Sequence, residues 1–216
     1  MKYLGISLLV LASLSAAGAA RAADDDPYAK DGFYFGVGAS YGVPLFEPSL
    51  DNALNGLGVS DEHVSNSWGT NGRLGYRFLK YLAVEAEHEW FAHYGMRISG
   101  PFGHAGIGDI STQTVTGNFK VFAPYQRWQP YVLVGFGATF ANTDKPNTGS
   151  PINIQHTSYS TRFGLGLDYY LSENVALNFG SEFVVNTAKM TNLIDGTDTS
   201  RGLDYYSAQG GLVFKF

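Results

Sequence analysis

From Gly32 to Phe216 apolar side chains recur at every second position, in eight separate segments. Successive side chains of a β-strand point to opposite sides, so this period predicts strands with one apolar and one polar face. The segments cover residues 32–42, 65–78, 81–91, 111–123, 130–141, 159–171, 175–185 and 202–216. The sixth is the cleanest, with Phe163, Leu165, Leu167, Tyr169 and Leu171 opposing Arg162, Gly164, Gly166 and Asp168. The connections alternate in length. Long ones fall at 43–64, 92–110, 142–158 and 186–201, and short ones at 79–80, 124–129 and 172–174. This rhythm predicts an all-β fold: an eight-stranded antiparallel up-and-down transmembrane β-barrel with its short turns at one end.

Alternation alone also suits a soluble barrel with an apolar interior, and the polar face separates the two. A face in water would carry many Lys and Glu. Here Gly, Ser, Thr and Asn dominate, with a few charges of both signs. Eight strands leave an interior just wide enough for side chains to fill, so small residues fit a narrow lumen. The apolar face then meets lipid. Beyond the first 22 residues no apolar run reaches the roughly 18 residues a spanning helix needs. A closed barrel leaves no backbone group unpaired in hydrocarbon. With short turns in the periplasm, all four long loops lie outside the cell.

The inward charges are Arg73, Arg77, Glu85, Glu87, Glu89, Lys120, Arg162, Asp168 and Glu182. A three-residue turn about Lys80 sets Arg73 opposite Glu87 and Gly75 opposite Glu85, while Glu182 faces Gly164, one step from Arg162. Buried charges need partners, so these residues are expected to form ion pairs that fill the lumen. A one-residue slip would turn Arg73, Arg77 and Arg162 toward lipid, at about 2–4 kcal/mol each near the midplane. Phe33, Tyr41, Trp90, Tyr131, Tyr169 and Phe216, at strand ends, are expected in the interfacial girdles.

Residues 1–22 read as a secretory signal: Lys2, an apolar core, then small residues ending in Ala20-Arg21-Ala22. Cleavage is expected after Ala22, with Ala17-Gly18-Ala19 as the second choice, which leaves residues 23–216 as the barrel domain. The chain's 14 Lys and Arg, less Lys2 and Arg21, leave 12 against 19 Asp and Glu, a formal charge of −7. A nucleic-acid partner is not expected, because the basic footprint is missing. The lack of Cys removes disulfides, thiol catalysis and thiolate metal sites. Asp24-Asp25-Asp26 reads as a solvated acidic tail rather than a calcium site. His88 and His93, five apart, fall on opposite faces of a strand and do not make a metal pair. Neither a metal nor a cofactor is expected. Residues 50–57 carry a weak helical-turn signal.

Three stretches resemble a known family. Gly211-Leu-Val-Phe-Lys-Phe216 resembles the terminal strand of small outer-membrane barrels, the OmpA transmembrane domain with its porin-family and opacity-protein relatives. Gln129-Pro-Tyr-Val-Leu-Val-Gly135 is similar to the family's fifth strand, and residues 164–177 to its sixth-to-seventh hairpin. The resemblance implies a Gram-negative outer membrane, with lipid and lipopolysaccharide as surroundings. It also implies a C-terminal signal at Leu212, Phe214 and Phe216 that the barrel-insertion machinery reads. Since the sequence ends at the barrel, the periplasmic peptidoglycan-binding domain of full-length OmpA is not expected here.

The function expected is non-enzymatic: envelope integrity, or interaction with a surface or host ligand through the four loops, as a surface antigen. The alternatives are a narrow pore or small-molecule conduit, and a lipid A-modifying enzyme. For the enzyme, only His156-Thr-Ser158 sets a His near a hydroxyl it could activate, without the His-Ser-Asn-type context of the deacylases. Glu85, Glu87 and Glu89 would need an open cavity to act as catalytic carboxylates. No catalytic residue is expected.

Overall fold

The computed structural model describes residues 26–45, 61–100, 103–144, 155–187, 190–191, 198–199 and 204–216. The expected signal segment, Asp24, Asp25 and residues 50–57 lie outside them, as do the side chains of His93 and His156. Every element among the described residues is a strand.

Eight long strands close the barrel. They are β1 (Gly32–Pro44), β3 (Ser67–Leu79), β4 (Leu82–Gly100), β5 (Gly103–Phe122), β6 (Trp128–Asp144), β7 (Gln155–Ser172), β8 (Val175–Asn186) and β11 (Tyr205–Lys215). Each pairs antiparallel with its chain neighbours, and β1 pairs with β11 to complete the ring. At that seam Tyr34 lies opposite Lys215, and the Phe216 amide donates to the Phe33 carbonyl at 2.9 Å.

Three short strands lie in the long-loop regions. β2 (Asp61–Val64) pairs with β4 at Met96 to Ser99, while β9 (Met190–Thr191) and β10 (Asp198–Thr199) pair with each other. The long connection expected at 92–110 is itself mostly strand, because β4 runs on to Gly100 and β5 starts at Gly103. The two strands stay paired there through register shifts after Phe91 and Met96. Those shifts break the two-residue alternation, although the backbone ladder continues.

The outward face is an apolar belt, with Phe136, Phe163, Leu165 and Phe179 at least half exposed. So much contiguous apolar surface calls for a non-aqueous neighbour. Aromatic pairs mark both rims. Tyr41 and Trp68 sit 5.0 Å apart toward the loops, Trp128 and Tyr169 4.6 Å apart toward the turns. Leu212, Phe214 and Phe216 share this outward face, and the Phe214 ring stacks on Phe35 at 6.0 Å.

Glycine matters inside, where strands and long side chains crowd. A Cβ on Gly36 would stand 2.6 Å from Arg73 Cγ, and one on Gly164 2.8 Å from Glu182 Cγ.

Candidate functional site

The inward positions of the eight strands converge on a charged layer in mid-lumen. Register places Arg73 opposite Glu87, Gly75 opposite Glu85, and Glu182 opposite Gly164. Arg162, fully buried on β7, is the hub. Its guanidinium meets Glu87 at 2.8 Å and Glu89 at 3.1 Å, both from β4 across the lumen, and also pairs with Glu182 of β8. The Gln209 side-chain amide of β11 donates to Glu87, Glu89 and Glu182 at 2.9, 3.2 and 3.1 Å. Ser207 and Tyr205 donate to Glu89 at 2.6 and 2.9 Å. A carboxylate stripped of water is costly unless paired and hydrogen-bonded, and here β7 and β11 supply the partners for carboxylates of β4 and β8.

A second group lies nearer the turns. Lys120 Nζ bonds Glu85 at 2.6 Å, and Asn118 donates to Glu87 at 2.9 Å. Arg73 stands 3.8 Å from Glu87 and donates to Asn178 at 2.9 Å. Asn178 in turn donates to Asp168 at 2.6 Å and to the Tyr131 hydroxyl at 2.9 Å. Arg77 lies below these pairs. It donates to the Gln129 side chain at 3.0 Å and to the Lys80 carbonyl, with its guanidinium 4.3 Å from the centre of the Phe122 ring.

Aromatic layers cover the charges on both sides. Toward the loops, Phe91, Tyr94 and Tyr205 form a buried cluster with Val64, Ala141 and Val184. Toward the turns, Tyr34, Phe122, Tyr131 and Tyr170 pack with Leu133 and Val213. These layers were not anticipated. The signal was available, since Phe91 continues the inward series Glu85, Glu87, Glu89, and Tyr205 continues Ser207 and Gln209. Tyr131, expected in the outer girdle, points inward instead because it shares the face of Leu133 and Gly135; Lys120 Nζ lies 4.4 Å from the centre of its ring.

At the turn end, Asp26 does not lie in a solvated tail. Its carboxylate accepts hydrogen bonds from the Tyr28 amide and the Gln129 side chain. Nearby, Lys30 bonds Glu173 at 2.7 Å on the surface, which holds that carboxyl below the usual carboxylate range. Ser158 is buried in the wall, with its side chain on the inner face. His88 faces outward, opposite Gly72 and Val115. Among the described residues no cluster of His, Cys, Asp and Glu suits a metal ion.

A closed antiparallel ring of eight strands, apolar outside and ionic within, defines a transmembrane β-barrel of the outer-membrane type. The chain belongs to the outer membrane protein beta-barrel domain family, whose match spans residues 6–216, and its place is the outer membrane. It is similar to OprG of Pseudomonas aeruginosa at 16% identity and a TM-score of 0.63, covering 89% of this chain and 99% of that one. Neisserial surface protein A matches at 15% identity and a TM-score of 0.53, over 85% and 97% of the two chains. Ail, the attachment invasion locus protein of Yersinia pestis, solved with the heparin analogue sucrose octasulfate, matches at 14% and 0.53, over 87% and 99%. These are likenesses of fold. Comparison with curated protein sequences returns no match.

Proposed function

We propose that this chain is a sealed, non-enzymatic outer-membrane barrel that anchors four extracellular loops for envelope integrity or surface interaction, after export and loss of residues 1–22. The observation that carries the reading is the Arg162 cluster between two aromatic layers. Arg162, Lys120, Gln129, Glu87, Glu89 and Glu182 are all essentially without solvent contact. A conduit would need an open path past them, and a hydrated ion would have to displace ion pairs already made.

The names of two structural relatives, a surface protein and an attachment invasion protein, support a surface role in kind. The non-enzymatic part rests on Ser158, whose inward hydroxyl does not face outer-leaflet lipid. In planar bilayers the purified barrel is expected to give no steady conductance; a stable ohmic current would overturn the sealed reading. Lipid A mass spectra are expected to match in cells with and without the chain, and a changed acylation pattern would contradict that.

A further inference from the structure

Just before β1, residues 26–30 double back beneath the turn end of the barrel. Asp26 Oδ1 accepts from the Tyr28 amide at 2.9 Å, and the Ala29 amide donates to the Asp26 carbonyl at 3.0 Å. An Asp side chain bonded two residues on makes a tight turn of its own. That turn offers Tyr28 to the mouth. The Tyr28 ring packs on Tyr170 at 5.5 Å, the Arg127 guanidinium stands 5.4 Å from the ring centre, and Ala29 is buried.

Three polar ties fix the segment. Gln129 donates to Asp26 at 3.3 Å, Lys215 Nζ donates to the Tyr28 carbonyl at 3.3 Å, and Lys30 pairs with Glu173 at 2.7 Å. One short turn therefore touches β6, the end of β7, the turn after it, and the end of β11. The end of β11 is gripped from the other side as well. The Lys215 amide donates to the Asn174 carbonyl at 2.8 Å, and the Asn174 side chain donates back to the Lys215 carbonyl at 2.9 Å.

We propose that residues 26–30 are a latch, a peptide segment bound in its own site at the periplasmic mouth that holds the β1–β11 seam shut. The segment is tethered to β1, so its local concentration at the site is high and docking costs little. Its site is assembled from β6, β7 and β11 while its tether is β1, so the segment docks only when β1 has come to lie beside β11 and the ring has closed. Contacts made after the folding barrier slow unfolding and leave folding unchanged.

Urea-driven folding and unfolding rates of the chain in phospholipid vesicles test this. Tyr28→Ala is expected to unfold roughly tenfold faster, with its folding rate within about twofold of the parent. Tyr28→Phe is expected to behave as the parent, since the ring and the main-chain carbonyl make the contacts. Lys30→Glu is expected to unfold about twofold faster, and adding Glu173→Lys to restore the parent rate, as an exposed pair allows. An unchanged unfolding rate in Tyr28→Ala would overturn the latch. So would a folding rate slowed by the same factor, or a charge reversal that the swap fails to rescue.

Discussion

In mid-lumen, Arg162 of β7 holds Glu87, Glu89 and Glu182 from two other strands; at the loop end, the same inward positions carry Phe91, Tyr94 and Tyr205. Both regions are packed and buried, but they depend on their neighbours differently. A charge in low dielectric needs a particular partner at a particular distance, so removing one group strands another. An aromatic layer needs only shape and volume, so a smaller apolar residue leaves a gap rather than an orphaned charge. The middle thus enforces register, and the end fills the lumen's space.

The sharpest way to break this contrast is Arg162→Met, which strips the cation from three carboxylates. We expect a loss of about 3–5 kcal/mol or outright failure to fold, read by urea unfolding in vesicles. A loss no greater than that of an aromatic substitution would erase the distinction. Next in size is Lys120→Met, expected to cost about 3 kcal/mol because Glu85 is left unpaired. Combining it with Glu85→Gln should recover most of that loss, and a double-mutant cycle would quantify the coupling. At the loop end, Phe91→Leu is expected to cost about 1 kcal/mol and to leave the bilayer without conductance, since the ionic layer still blocks the path.

Smaller effects sharpen the picture. The Tyr94 hydroxyl has no hydrogen-bond partner among the described residues, so Tyr94→Phe should stay within about 0.5 kcal/mol of the parent in the same unfolding assay. The least effect belongs to the exposed Lys30 and Glu173 pair. With the Glu173 carboxyl held below its usual range, its contribution is present above the ordinary carboxylate pKa and fades as pH falls through the lowered value. Solvent screening keeps it small, and Glu173→Gln should flatten that acid limb of the stability curve.

The strands could be read from the chain because lipid outside and a narrow lumen inside impose opposite chemistry on alternate residues. Arg73 opposite Glu87 followed from counting around Lys80, since a short turn ties adjacent strands to one register. Arg162 meeting Glu87 and Glu89 could not be counted that way. β7 and β4 are not neighbours, and only closure and tilt of the ring bring them together. The extension of β4 and β5 past Phe91 was equally hidden, because register shifts after Phe91 and Met96 break the alternation that marks a strand. Tyr28 lay beyond reach for another reason: its site is made by three separate stretches of chain, at Arg127, Tyr170 and Lys215.

Water- and lipid-edited solid-state NMR of the chain in bilayers tests the sealed, ion-packed barrel most directly. Magnetisation from acyl chains should reach Phe163, Leu165 and Leu167, while transfer from water to the Arg162 guanidinium should be slow. Transfer to Arg162 as fast as to an exposed group such as Lys30 would mean a wet lumen, and would contradict the account.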